Sequence, residues 1–310
     1  MGISTKWLRS LVGLRKVERQ QRHRKEDADV GVGPGRMEAH PESNKRVLAI
    51  VDALEKLELS PKHHGSPVLE IQNFNPTSLD DVAHVHSRSY ITGLEKAMGR
   101  ASDEGLIFIE GTGPIYATET TFQESLLSAG AEIKLVDSVV TNLLSVDYNG
   151  PNPPLAFALV RPLGHHVVPQ GPLGFRIFRN IAVVAPYAQH QHGLKRVMII
   201  DFDVHHGNGT SDAFYDDPDI FFLSTHQLGS YPGTGKINEV RQGDGEGMTL
   251  NLPLPGGTCD YAMRCAFDEV IAPSTHRNKP SGHAKWRLHE VMMARGVYGG
   301  CHHFCVSRTW

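Results

Sequence analysis

The sequence predicts an α/β domain, in which short buried strands alternate with covering helices. Apolar runs of buried-strand length occupy 155–160 and 194–200, and a helical segment is predicted at 119–142. Each apolar run ends in a polar cluster, as expected where a ligand site lies outside the carboxyl ends of the strands of an open sheet. The composition agrees, because 310 residues with 40% hydrophobic content and a net charge of −3 are typical of a globular domain with a sizeable core.

The front of the chain, 1–36, is predicted to be a basic extension that ends in a linker. Lysine and arginine crowd the first 25 residues, in which Glu18 is the one acidic residue. A partial apolar stripe through the same segment favours a short basic amphipathic helix. An arginine-rich segment with few acids also suits an organelle transit peptide. Four glycine or proline positions in 27–36 then predict the linker. The stripe consists of Trp7, Leu8, Leu11, Val12 and Leu14.

The most informative motif is the Asp-x-Asp-x-His-His-Gly sequence that follows the apolar run at 194–200. Alternate side chains of a strand lie on one side, so we expect Asp201, Asp203 and His205 to point together. Carboxylate and imidazole groups in such an arrangement are typical ligands of zinc. Glycine and Asn208 then favour a tight turn away from the strand end.

A second polar cluster, Gly164-His165-His166, follows the apolar run at 155–160. Histidine has the unperturbed pKa that best suits proton transfer near neutral pH. A metal cluster and an imidazole pair at the ends of two strands together predict metal-assisted hydrolysis.

These motifs resemble those of the histone deacetylase family of zinc amidohydrolases, and most of all its class II-type plant and bacterial members. The resemblance covers about 37–280. It rests on motifs that occur in the family's order. They are His40-Pro41-Glu42 with Arg46, Ala83-His84 with Tyr90-Ile91, 113–118, 129–131, 161–166, Gly174-Phe175 with Asn180, 201–210, Ser224-Thr225-His226 and 231–235. The fold implied is the three-layer arginase/deacetylase-like fold with a mostly parallel sheet, here incomplete at its C-terminal end.

The resemblance also implies a catalytic role for each residue of the two clusters. Asp203 and His205 match two zinc ligands, and His165 and His166 match tandem histidines of which the second is the general base. Asp201 and Asn208 match the groups that orient these two histidines. A structural potassium ion is implied near five residues, and a substrate channel near three more. The potassium site would involve Asp201, Asp203, His205, Ser224 and Thr225. The channel walls would be Gly174, Phe175 and Tyr231.

The function implied is hydrolysis of Nε-acetyl-lysine in histones or other proteins, with a role in chromatin regulation. The alternatives are an acetylpolyamine deacetylase and a catalytically inactive relative that binds acyl-lysine or a partner. An arginase-like enzyme with two manganese ions would need further aspartates in the clusters. The nucleus and cytoplasm are the expected compartments, with a chloroplast or mitochondrion as the alternative.

The chain departs from the family pattern after Pro280. We expect 281–310 to be an unrelated tail, because it shows no strand-like apolar run and no counterpart of the third zinc ligand or of the oxyanion donor. A retained intron or a shifted frame would explain its composition. A separate metal site in 301–305 is not expected, because no second ligand pair has a suitable spacing. We therefore expect weak or absent activity, since a catalytic zinc needs three protein ligands.

Two arginines in the segment after Gly174 are also unusual, because the family has small or neutral residues there. The charges of Arg176 and Arg179 must reach solvent or find partners, since an unpaired buried charge is costly. Leu163 stands where the family has a proline, which loosens the turn before His165.

Several other classes are excluded or unsupported by composition. No apolar stretch approaches the roughly 20 residues that span a membrane. Four cysteines, two of them in the tail, form no disulfide framework and suit a reducing compartment. The basic front segment alone is not a nucleic-acid-binding module. The sequence does not predict an oligomeric state.

Overall fold

The structure is a computed structural model, and it describes most of the central part of the chain. The described residues are 10–12, 45–60, 62–63, 69–109, 115–144, 156–162, 164–174, 176–277 and 291–294. The predicted linker, most of the basic extension, Leu163 and Phe175 lie outside them.

Helices and strands alternate along the chain, as the sequence predicts. The strands are β1 (Ser10–Val12), β2 (Leu69–Ile71), β3 (Leu106–Phe108), β4 (Tyr116–Thr118), β5 (Ala156–Ala158), β6 (Val197–Asp201), β7 (Ile220–Gln227), β8 (Thr249–Leu254) and β9 (Val291–Ala294). The α-helices are α1 (Lys45–Lys56), α2 (Leu79–Ala83), α3 (Arg88–Glu104), α4 (Thr121–Leu144), α5 (Asn180–His192), α6 (Asn208–Ala213), α7 (Asp260–Ala266) and α8 (Ala272–Arg277). A π-helical turn (Phe267–Ile271) joins α7 to α8.

Parallel pairing dominates the described strands, which confirms the predicted α/β class. One sheet has the order β8-β7-β6-β9 and a second the order β2-β1-β5, and every pair in both is parallel. β3 and β4 form a separate antiparallel hairpin. The predicted strand at 155–160 corresponds to β5, and the predicted helix at 119–142 corresponds to α4.

β6 shows why the main sheet is covered on both faces. All five of its residues are buried. Val197 and Ile199 pack into one hydrophobic cluster with residues of α2 to α5, whereas Met198 and Ile200 pack into another around Ile271. A parallel strand buried on both sides requires such a continuous apolar run. The covering layers on both faces place the polar residues that follow β6 at one edge of the sheet.

Two expectations about the ends of the chain are wrong. Val291–Ala294 forms β9, which pairs in parallel with β6, although no strand was expected in 281–310. Four residues suffice because β6 offers a second edge for backbone hydrogen bonding. Ser10–Val12 is a strand between β2 and β5 and not part of an amphipathic helix. Pairing with two neighbours here overrides the helical period of a short segment.

Among the described helices, none is long and apolar enough to cross a membrane. α4 is the longest of them and packs against α5 and β5. Asn180, the first residue of α5, donates from Nδ2 to the carbonyl of Pro162 at 2.9 Å and to the hydroxyl of Ser128 on α4 at 2.7 Å. These bonds fix the segment before His165 to the helical layer.

Candidate active site

His165 and Asp201 form a buried pair where β6 ends. Nδ1 of His165 donates to Oδ2 of Asp201 at 2.9 Å, and the Asp201 side chain is fully buried. Burial opposes the charge on His165, but Asp201 outweighs it, so the pKa of His165 lies above its ordinary value. The pair therefore holds a proton on an oriented ring.

His166 lies against His165, and its pKa is shifted in the opposite direction. The ring centroids are 3.9 Å apart. Nδ1 of His166 donates to Oδ1 of Asn208 at 2.9 Å, while Nδ2 of Asn208 points to the carbonyl of His166 at 3.5 Å. Burial, assisted by the charge of His165, lowers the pKa of His166 to about 3. A neutral ring with hydrogen on Nδ1 presents Nε2 as a proton acceptor.

Asp203 and His205 lie beside this histidine pair but beyond the strand. β6 ends at Asp201, so the expected alternation of an extended strand does not continue through 205. The three residues converge through a turn instead, in which the backbone N–H of Asp203 donates to Oδ1 of Asp201 at 3.0 Å. The backbone N–H of His205 similarly donates to Oδ1 of Asp203 at 2.7 Å.

The two predicted zinc ligands are close in space and have suitable chemistry. Nδ1 of His205 lies 3.2 Å from Oδ1 of Asp203, and Nε2 of His165 lies 3.8 Å from Oδ2 of Asp203. Burial opposes ionisation of Asp203, but the hydrogen bond from His205 and the charge of His165 outweigh it and lower the pKa of Asp203 to about 2. Asp203 and His205 thus lie side by side, as two ligands of one metal ion would have to. The described residues contain no group of three or more histidine, cysteine, aspartate or glutamate side chains that could hold a metal.

Gly174 and Tyr231 flank His166. Tyr231 is 46% exposed, and its ring meets those of His166 and His205 edge-on, at centroid distances of 5.0 and 6.1 Å. Gly174 has φ +61°, and a Cβ there would lie 2.5 Å from Cδ2 of His166. Both residues therefore contact the imidazole, whereas the third predicted wall residue, Phe175, lies outside the described residues.

Comparison with known proteins decides the family. The profile of a family described as "Histone deacetylase domain" matches residues 40–282. The chain belongs to the histone deacetylase family.

The relatives of this histone deacetylase-family chain include two plant proteins. Histone deacetylase 10, chloroplastic, from Oryza sativa subsp. japonica is 79% identical over 243 residues, which are 78% of this chain and 54% of the rice protein. Histone deacetylase 14, chloroplastic, from Arabidopsis thaliana is 61% identical over 243 residues, which are 78% of this chain and 56% of that protein. The chain thus spans about half the length of these relatives.

A solved structure supports the deacetylase fold. The crystal structure of the HDA15 HD domain matches with a TM-score of 0.67 and 31% identity, and covers 79% of this chain and 67% of that one. The predicted arginase/deacetylase-like fold class is therefore confirmed.

The predicted potassium-site residues lie together in this deacetylase domain. Ser224 pairs in register with Asp201 across β7 and β6. The hydroxyl of Thr225 donates to the Asp201 carbonyl at 3.5 Å, and both side chains on β7 are buried. The Ser224 hydroxyl also lies 3.0 Å from Nδ1 of His226.

Sequence reasoning assigned no role to a buried histidine pair behind the site. The rings of His206 and His226 lie 4.9 Å apart. Nδ1 of His206 is 2.8 Å from the hydroxyl of Thr234, and Nε2 of His226 donates to the carbonyl of Gly235 at 2.9 Å. These contacts hold 234–235 against the residue that follows His205. The sequence gives one sign of these contacts, because the motif Ser224-Thr225-His226 is followed closely by a second motif at 231–235.

The two unusual arginines are both buried, which answers the question that the sequence left open. Arg176 is 8% exposed and Arg179 is 1% exposed. Neither points outward. Arg179 donates to two backbone carbonyls, so its charge finds partners inside the protein.

Proposed function

We propose that the chain is a deacetylase-type amidohydrolase that acts on Nε-acetyl-lysine of histones or other proteins. The observation that carries this proposal is His166, a buried neutral imidazole whose Nδ1 is bonded to Asn208. Its Nε2 is thereby kept as an acceptor for the proton of an attacking water. Such a group, beside a carboxylate and imidazole pair that can bind metal, fits amide hydrolysis.

His165 and Asp201 supply the second proton function in this proposal. Because Asp201 raises the pKa of His165, that ring takes up a proton more readily than an ordinary histidine. We propose that its cationic form faces the amide oxygen on which negative charge develops when water attacks, because preorganised charge of this kind stabilises the transition state. In this proposal His166 accepts a proton, and His165 stabilises negative charge when it is protonated.

We propose zinc as the cofactor, with Asp203 and His205 as the protein groups that would hold it. When bound, zinc would polarise the acetyl carbonyl and acidify a water molecule. A catalytic zinc needs three protein ligands, and the described residues contain no group of three or more side chains of the ligand types that could hold a metal. A structural potassium ion is proposed at Asp201, Asp203, His205, Ser224 and Thr225, where the carbonyl of Asp201 and the hydroxyl of Ser224 are suitable oxygen donors.

Tyr231 and Gly174 support an acyl-lysine substrate. In this proposal an unbranched aliphatic stem lies in a slot beside His166, bounded by the edge of the Tyr231 ring and by the bare backbone at Gly174, both of which meet that imidazole. An acetylated polyamine has a similar stem and remains the alternative small substrate. The rice and Arabidopsis relatives are named chloroplastic, so we propose a plastid as the compartment in which the substrate is sought.

A second candidate is a non-catalytic protein that binds acyl-lysine. It is favoured because the described residues contain no group of three or more histidine, cysteine, aspartate or glutamate side chains that could hold a metal, whereas a catalytic zinc needs three protein ligands. Such a protein would retain the slot at Tyr231 and bind an acetyl-lysine peptide without releasing acetate.

Three measurements on one purified preparation separate these candidates: zinc content, acetate release from an acetyl-lysine peptide and binding of the same peptide. For the enzyme we expect zinc that is lost in Asp203→Ala, and acetate release that falls about 10²- to 10⁴-fold in His166→Gln. The matched control is His192→Gln, because His192 is a partly buried histidine whose hydrogen bond to Asp137 involves no residue of the candidate site. Binding without release supports the second candidate. A folded sample that neither binds nor hydrolyses the peptide refutes both.

A further inference from the structure

Arg179 is a fully buried cation to which the proposed chemistry assigns no task. It precedes α5 and is 1% exposed. Burial lowers its pKa to about 10, with the charge of Asp212 opposing, so the guanidinium remains protonated at neutral pH. A buried charge destabilises the fold unless it is hydrogen-bonded. The groups that accept hydrogen bonds from Arg179 therefore indicate its role.

The guanidinium joins two segments that are distant in sequence. Nη1 donates to the carbonyl of Gly209 at 2.7 Å, and Nη2 donates to the carbonyl of Val85. The backbone N–H of Arg179 also donates to Nε2 of the buried His86 at 3.2 Å. Arg179 therefore ties the first turn of α6 to the segment between α2 and α3.

Gly209 is the point at which α6 meets the backbone of the histidine pair. A Cβ on Gly209 would collide with the carbonyl of Val167 and lie 2.9 Å from the carbonyl of His165. The next residue, Thr210, donates its N–H to that His165 carbonyl at 3.1 Å. The residue before Gly209 is Asn208, whose side chain holds Nδ1 of His166.

We propose that Arg179 is a positioning residue, which fixes the Asn208–Gly209 turn and thereby the orientation of the His166 imidazole. The inference rests on the proposed function in one respect, namely that His166 is the proton acceptor. The guanidinium donates a hydrogen bond to the carbonyl of Gly209, the residue next to Asn208. Without the guanidinium, that turn can move away from His166. Lysine can replace the charge but not the two-carbonyl geometry, because its ammonium lacks the planar fork.

The test uses the full chain labelled with ¹⁵N-histidine and follows Nδ1 of His166 by NMR. The signal is assigned by its loss in His166→Gln. In Asn208→Ala the Nδ1 hydrogen bond is removed directly, and we expect Arg179→Met to shift the signal toward that of Asn208→Ala. Arg179→Lys should give a smaller shift in the same direction. The double variant Arg179→Met with Asn208→Ala should match Asn208→Ala alone, since both changes act through one bond.

Arg241→Met is the matched control. Arg241 is also buried and donates to backbone carbonyls, at Phe214 and at Ile220 (3.1 Å), so it holds the far end of α6. We expect its loss to lower the thermal midpoint while the His166 signal stays unchanged. An unshifted His166 signal in Arg179→Lys and Arg179→Met, or equal shifts in Arg241→Met, would overturn the proposal. If Arg179→Met does not fold, Arg179→Lys with its double variant decides the question.

This readout needs no turnover. A chain that releases no acetate but shows the Arg179 effect refutes the proposed function and leaves the positioning role intact. If acetate is released, Arg179→Met should lower kcat with little change in KM, because the stem-binding slot is untouched. A change confined to KM would contradict a role exerted through His166.

Discussion

Replacing Gly174 with alanine measures how tightly the backbone packs against His166. Its φ of +61° costs an alanine about 1–2 kcal/mol. The new Cβ would also lie 2.5 Å from Cδ2 and 2.8 Å from Cβ of His166. That ring cannot swing aside without breaking its bond to Asn208. Overpacking of this kind costs about 1–3 kcal/mol, so we expect a total loss of about 2–5 kcal/mol in the free energy of unfolding.

Gly193 provides the control for this substitution. It ends α5 with φ +66°, nearly the value of Gly174, but a Cβ there would meet nothing within 4 Å. Gly193→Ala should therefore cost only the backbone component of about 1–2 kcal/mol. The assay is urea unfolding of both variants and the parent, with the slope checked for constancy. Equal losses in the two variants would show that His166 yields freely, and would refute the argument from close packing.

Three further predictions concern individual side chains. Burial raises the pKa of Glu132 to about 7, so the free energy of unfolding should fall as pH rises from about 4.5 to about 7. Because Glu132 is only partly buried, the fall is at most about 3 kcal/mol, and Glu132→Gln should abolish it in urea titrations at several pH values. Tyr90→Phe removes the 2.7 Å hydrogen bond to the carbonyl of Ile177 and should cost about 1–2 kcal/mol in urea unfolding, whereas exposed Tyr261→Phe should stay within about 0.5 kcal/mol. Asp201→Asn should lower the pKa of His165 in an NMR titration, because burial then acts against the ring charge without that carboxylate; an unchanged pKa would show that Asp201 does not control it.

The sequence predicted those parts of the fold that depend on local pattern. Continuous apolar residues before Asp201 indicate a strand buried on both faces, and β6 is one. β9 and β1 were missed because strands of three or four residues owe their existence to neighbours already in place. A periodicity argument over such a short segment cannot distinguish them from a helix or a loop.

The candidate site was also predicted only in the parts that depend on local sequence. Residue types and spacing in 201–205 were enough to name Asp201, Asp203 and His205 as candidate metal ligands, whereas the role of Asn208 came from the resemblance to the family. The turn that brings them together was not foreseen, because backbone bonds from 203 and 205 to the preceding carboxylates replace the extended geometry. Burial of Arg179 was also not predictable, since its two carbonyl acceptors come from Val85 and Gly209, far apart in sequence.

The long sequence separation of the site contacts bears on how the protein folds. His165 meets Asp201 across 36 residues, His166 meets Asn208 across 42, and Arg179 meets Val85 across 94. Closing such loops lowers the conformational entropy of the chain before the new contacts contribute stabilising free energy. Contacts between residues that are distant in sequence therefore slow folding. We therefore expect the His166–Asn208 hydrogen bond to form late in folding. Helices and single strands can form earlier, whereas the site forms only when the α2–α3 segment, α5 and α6 have docked together.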